Sequence, residues 1–140
     1  MPYLRTYQIF ISHAWHRSEH YSTVVRWLND APYLSWNNLS VPEHEPFHVT
    51  DSNALAYELH RQMRHADVFI ILGGMYAAHS EWIDYELYFA RRIGRPIIGV
   101  RPWGAQVMPS AITKAAHHIV GWNGASVVSA VRSHALPSVG

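Results

Sequence analysis

Two hydrophobic patterns alternate along this chain: short apolar runs, and longer stretches whose apolar residues recur every three or four positions. Gln8-Ile9-Phe10-Ile11 reads as a first strand, followed by a loop over Ser12-His13-Ala14-Trp15-His16. Ser18 is placed to cap a helix in which Tyr21, Val24, Val25 and Leu28 share a face, and Asp30-Ala31-Pro32 stops it. Tyr33-Leu34-Ser35-Trp36 reads as a second strand. A polar loop from Asn37 to Asp51 follows, with Pro42 and Pro46 inside it, and loops of that length in compact domains are usually functional. Asp51 or Ser52 caps the next helix, with Leu55, Leu59 and Met63 on its buried side.

Asp67 to Leu72 is continuously apolar after its first residue, as expected of a central strand covered on both faces. It ends in Gly73-Gly74. The next helix is expected from about Glu81 to Arg92, with Gly94 as its C-cap and Pro96 just beyond. Ile97-Ile98-Gly99-Val100 forms the fourth strand, Arg101-Pro102-Trp103-Gly104 a tight loop, and Pro109 opens a short helix to about Ala116. A weak fifth strand, His118 to Gly121, and a last helix, Ala125 to His134, complete the series; the tail from Leu136 to Gly140 reads as loose. Five strand–helix alternations predict an α/β fold with a parallel sheet of order 2-1-3-4-5, in one domain spanning 1–140 with its core at about 7–135.

Composition narrows the partners. A formal net charge of +1, with ten arginines and one lysine scattered along the chain, argues against a nucleic-acid interface. Cysteine is absent, which removes disulfides, thiol nucleophiles and thiolate metal sites. No apolar run approaches a membrane span and no signal peptide is evident, so a cytoplasmic protein without membrane contact is expected. The eleven histidines do not fall at metal-binding spacings: His44 and His48 bracket Pro46, and His117 and His118 are adjacent. No metal site is expected.

Common α/β chemistries fail on motif grounds. No Gly-x-Gly-x-x-Gly follows the first strand, no Walker pattern is present, and the end of strand 1 carries no acid of the kind a phospho-acceptor receiver needs. Ser80-Glu81-Trp82-Ile83-Asp84-Tyr85-Glu86-Leu87 remains. Trp82 and Glu86 lie four residues apart, hence on one helical face, and Phe89 and Ile93 make the rest of that stripe apolar. A carboxylate on such a stripe is uncommon unless paired or functional. An aromatic plate beside one carboxylate suits a planar cationic heterocycle attached to a sugar. Cleaving a glycosidic bond to a pyridinium releases a neutral leaving group, so one carboxylate suffices where ordinary glycosidases use two. Trp82 also reads as core, as a Trp on a buried helix face usually is. Trp103, in a loop after strand 4, is a candidate to stack on a base, and Ser12, His13 and Arg17 precede a helix N-terminus suited to a pyrophosphate.

These residues also carry a resemblance. Phe10-Ile11-Ser12-His13 resembles the strand-1 signature of TIR domains, and Trp82 followed four residues later by Glu86-Leu87 is similar to their third-helix motif. Phe10 to Trp15, Trp36 to Pro42, Ala66-Asp67-Val68, Gly94 to Val100, Pro102-Trp103-Gly104 and Ile119 to Asn123 look like the ThsB branch of Thoeris antiphage systems. The likeness runs from about Tyr7 to Arg132. It implies a flavodoxin-like TIR fold and an enzyme that consumes NAD+ as substrate, releases nicotinamide and needs no cofactor. It implies that Glu86 is catalytic and Trp82 lines the pocket. Phe10, Ser12, His13, Trp15, Trp36, Asn37, Gly73, Tyr85 and Trp103 are the further substrate-binding candidates. The resemblance also implies self-association through TIR surfaces, a loop from Asn37 to Asp51 that gates the pocket, and an ADP-ribose-derived messenger acting on a separately encoded effector. Ile83 stands where many animal TIR domains have Cys. Two other readings compete: a non-catalytic interaction module and a nucleoside deoxyribosyltransferase-like enzyme.

Overall fold

The computed structural model describes residues 5–12, 19–40, 60–104 and 107–137. Five strands form one all-parallel sheet: β1 (Thr6–Ile11), β2 (Ser35–Asn38), β3 (Val68–Leu72), β4 (Ile97–Val100) and β5 (His118–Val120), in the order β2-β1-β3-β4-β5. That is the flavodoxin-like α/β arrangement expected from the alternation of elements. The helices are α1 (Glu19–Asp30), α2 (the helical residues 60–63), α3 (Tyr76–Arg92), α4 (Ser110–Ala115) and α5 (Gly124–His134).

Side chains of successive strand residues point to opposite faces, so β3 feeds two cores. Phe69 and Ile71 join Phe10 and Ile97 on one face, against Met63, Ile83, Leu87, Ala90 and Ile112 from α2, α3 and α4. Val68, Ile70 and Leu72 join Ile9, Ile11, Ile98 and Val100 on the other, against Val24 and Leu28 of α1 and Val127 and Val131 of α5. All five residues of β3 are buried, which is why the run shows no polar alternation.

At the amino edge of the sheet, the Asp67 carboxylate accepts from the Gln8 backbone N–H at 2.9 Å and pairs with Arg5 at 3.1 Å. The same guanidinium donates to the Leu136 carbonyl at 2.6 Å, and the Leu136 N–H donates to the Asp67 carbonyl at 3.0 Å. Leu136 is therefore anchored, a correction to its reading as loose tail.

Three other expectations shift. β2 lies two residues later than Tyr33–Trp36, so Asn37 and Asn38 are strand rather than loop; Tyr33 instead turns the chain with φ 60°. α3 begins at Tyr76, after a 3-10 turn over Gly73–Met75, one full turn before the expected start at Glu81. α5 opens at Gly124, where the Asn123 side chain accepts from the Ser126 N–H at 2.9 Å as an N-cap. The expectations for His13, Trp15, Arg17, the Ser18 cap, most of the loop to Asp51, and Leu55 and Leu59 fall outside the described residues.

Candidate active site

α3 runs down the Phe10–Phe69 face of the sheet with Ile83, Leu87 and Ala90 fully or almost fully buried. Glu86 is buried among them, with 1% of its surface exposed; Ser12 is the other buried polar residue among those described. Because the helix starts at Tyr76, Trp82 and Glu86 stand about 9 and 15 Å along its axis at ~1.5 Å per residue. The pair is thus beyond the first turn, where the helix dipole acts, and lies alongside the sheet rather than at the strand-to-helix junction. That corrects the sequence reading, which put the motif at the helix start. Trp82 is half-buried against the core, and its ring meets Tyr85 edge-on at 6.3 Å and 79°.

Tyr85 and Phe89, one helical turn apart, form a second aromatic row beside Trp82 and Glu86. The His60 ring, from α2, lies nearly parallel to both: 4.4 Å and 18° to Phe89, 5.6 Å and 8° to Tyr85. Its Nε2 is hydrogen-bonded to the Tyr85 hydroxyl. Burial, with Tyr88 nearby, pushes the Tyr85 phenol above its usual range.

The carboxyl edge of the sheet holds the remaining candidates. The Ser12 backbone N–H donates to the Ile70 carbonyl at 2.9 Å, and its hydroxyl oxygen accepts from the Leu72 N–H at 3.2 Å, stitching β1 to β3. Gly73 is buried where a Cβ would come within 2.6 Å of Met108 Sδ and 2.9 Å of the Val100 carbonyl. A Cβ on Gly74 would lie 2.6 Å from His20 Nδ1. His20 in turn packs on Trp122 at 5.0 Å, and Trp122 meets Trp27 edge-on at 4.8 Å. Trp103, 69% exposed, borders a cleft of about 260 Å³ with Glu19, His20, Thr23 and Trp122.

Residues 10–107 match the family model of the Thoeris protein ThsB, TIR-like domain, a span that contains every candidate site residue from Phe10 to Trp103. This chain belongs to that family. No curated protein sequence matches the TIR-like chain. Among solved structures, it resembles a 2-deoxyribosyltransferase from Bacillus psychrosaccharolyticus with a TM-score of 0.66 at 17% identity, covering 94% of this chain and 99% of that one. It also resembles a CMP N-glycosidase of Clostridium botulinum with a TM-score of 0.57 at 13% identity, covering 89% and 98%. At these identities the likeness is one of fold.

Within the TIR-like domain the sequence-predicted residues do not form one cluster. Trp82, Tyr85 and Glu86 are together on α3. Trp103 lines the separate cleft at the start of α1. Phe10 is 1% exposed and packs against Phe69 at 5.2 Å, inside the core. Trp36 pairs with Tyr7, near the amino end of β1, and its Nε1 donates to Asn29 Oδ1 at 3.0 Å. At about 3.3 Å per residue the Tyr7–Trp36 level lies roughly 13 Å from the end of β1, well away from the carboxyl edge. Asn37 pairs with Gln8 through a side-chain hydrogen bond of 3.3 Å.

Sequence reasoning missed His60, His20 and Trp122. It also missed the polar links Asn38 Nδ2 to Tyr21 Oη at 2.7 Å and Ile11 N–H to Ser40 Oγ at 2.9 Å, which close the carboxyl ends of β1 and β2. Trp122 sat in a recognised motif but had no assigned partner. The two histidines carry no periodic signal. Among the described residues no group of three His, Cys, Asp or Glu converges on a metal position, and no helix is long and apolar enough to cross a membrane.

Proposed function

We propose that this TIR-like domain cleaves NAD+ at the nicotinamide–ribose bond and releases an ADP-ribose-derived signal in antiphage defence. The observation that carries the reading is Glu86: a carboxylate with 1% exposure on an otherwise apolar helix face, one turn after Trp82. A buried charge is expensive, and a chain retains one where chemistry or pairing repays it. Nicotinamide leaves as a neutral base and takes the electrons of the C–N bond, so no acid is required. The carboxylate faces the ribosyl cation that remains, stabilising it or bonding to its anomeric carbon. Water attack on that carbon, with loss of a proton, yields linear ADP-ribose; attack by a nitrogen or hydroxyl of the same molecule yields a cyclic isomer. NAD+ is substrate here, and no further cofactor enters the scheme. Self-association of TIR surfaces and a separately encoded, messenger-activated effector complete the proposal, in the cytoplasm.

The fold shared with a deoxyribosyltransferase and a CMP N-glycosidase favours one second reading, glycosyl transfer or hydrolysis on a free nucleoside or nucleotide. One experiment separates the two. Concentrated wild-type protein and Glu86→Gln are incubated with NAD+, with CMP and with deoxynucleosides, and the products are resolved by mass spectrometry. Nicotinamide release that falls about 10²–10³-fold in the folded variant supports the proposal. Base release from CMP or a deoxynucleoside alone transfers the site to the second reading. Equal rates in both proteins, or a variant that does not fold, return Glu86 to the architecture.

A further inference from the structure

His60 has no place in the scheme above, yet three contacts converge on it. Its ring stacks on Phe89 at 4.4 Å, lies parallel to Tyr85 at 5.6 Å and is hydrogen-bonded through Nε2 to the Tyr85 hydroxyl, while Tyr85 in turn meets the Trp82 ring edge-on. The support beneath His60 is firm. Met63, on the same helix, is fully buried. Beyond the helix end, the Arg95 guanidinium donates to the carbonyls of Ala66, Ile93 and Arg64 at 2.9, 3.0 and 3.2 Å. Those bonds tie the end of α2 to the turn after α3, so the two helices that hold His60 and Tyr85 are held to each other as well.

We propose that His60 is a positioning residue for the substrate pocket: stacked on Phe89 and bonded to Tyr85, it fixes the Tyr85 ring and through it the plane of Trp82 beside Glu86. The inference rests on the proposed cleavage of NAD+. Ring packing resists rotation of Tyr85 about its long axis but leaves the far end of the ring free to swing about the Cα–Cβ bond. A hydrogen bond to the hydroxyl at that far end removes the freedom. The edge of Tyr85 then presents a fixed surface to Trp82, and an aromatic wall whose angle is fixed binds a flat heterocycle without ordering itself at each encounter. Loss of His60 should therefore weaken substrate binding while leaving the Glu86 chemistry largely intact.

The test uses three substitutions of His60 and two readouts. His60→Ala removes both stack and hydrogen bond, His60→Phe keeps the stack, and His60→Gln keeps a hydrogen-bonding atom near the Nε2 position. His60→Ala is expected to raise KM for NAD+ about tenfold or more with kcat changed less than about threefold, and the other two to recover part of the loss. The second readout is independent of turnover: the Trp82 indole N–H signal in a nitrogen–proton NMR spectrum, assigned with Trp82→Phe, should shift in His60→Ala and less in His60→Phe and His60→Gln. An unmoved Trp82 signal with unchanged KM overturns the proposal, as does a lower Tm with both kinetic constants intact. If His60→Ala fails to fold, the other two variants decide. A wild type that releases no nicotinamide, but whose Trp82 signal moves on substitution of His60, upholds the positioning contact while sinking the NAD+ reading.

Discussion

Replacing Gly73 by Ala tests whether this glycine serves packing or a ligand. An added Cβ would lie 2.6 Å from Met108 Sδ, 2.9 Å from the Val100 carbonyl oxygen and 3.2 Å from Pro102 Cδ, all inside ordinary contact distance. Met108 has rotatable bonds and can withdraw. The Val100 carbonyl cannot, because Val100 is held between Leu72 of β3 and Val120 of β5. Overpacking of this kind costs about 1–3 kcal/mol. Gly73 is not among the positive-φ glycines, so alanine recovers about 0.4–1 kcal/mol by restricting the unfolded chain. The midpoints of the two ranges, about 2 and about 0.7 kcal/mol, leave a loss of about 1.3 kcal/mol, or roughly 3–6 °C in Tm for a domain of this size. Calorimetry and urea titration measure it, and the double variant with Met108→Ala divides it: the sulfur's share should be recovered, the carbonyl's should not. A Tm that is unchanged or raised in Gly73→Ala would refute the close approach and reopen the glycine as a ligand contact.

Two further outcomes follow from contacts at the edges of the fold. Arg95→Ala removes three charge-assisted donors from the carbonyls of Ala66, Ile93 and Arg64 and should cost about 2 kcal/mol in urea unfolding at constant m-value. Burial lowers the pKa of His118, with His134, stacked on it at 3.3 Å, and His117 adding to the shift; burial and then Arg91 lower that of His117. The unfolded chain therefore takes up more protons than the folded one once pH drops below the ordinary histidine value of about 6.5. Stability is full above that value and is lost as pH falls through the lowered folded values; Tm between pH 8 and 5 should show the decline, and His134→Gln should flatten it.

The elements that the sequence disclosed were those whose burial left a periodic trace. β3 is apolar throughout because both its faces are covered, and α1 shows Val24 and Leu28 at helical spacing. β2 was misplaced by two residues because it is an edge strand of Ser35, Trp36, Asn37 and Asn38, three of them exposed, so no alternation marks it. The start of α3 was hidden for a different reason: Met75 occupies the N-cap without a side-chain bond, while Ser80, further on, looks like a cap and is not one. Glu86 stood out as a carboxylate on an apolar stripe. Whether Trp103 shares a pocket with it depends on loop placement that no local pattern encodes, and the structure sets Trp103 beside His20 and Trp122 instead. His60 was invisible because its significance lies in two rings from another helix.

The bond from Arg5 to the Leu136 carbonyl has a topological consequence. Both residues lie at the amino edge of the sheet, across the molecule from Ser12, Gly73 and Trp103. The backbones of Arg5 and Leu136 lie within the reach of one arginine side chain of each other at that edge. A few linking residues there would close the backbone into a circle, so new ends can be cut elsewhere while both helical layers keep their neighbours. Spliced into another protein's loop, the domain would hang from that host by a single narrow stalk.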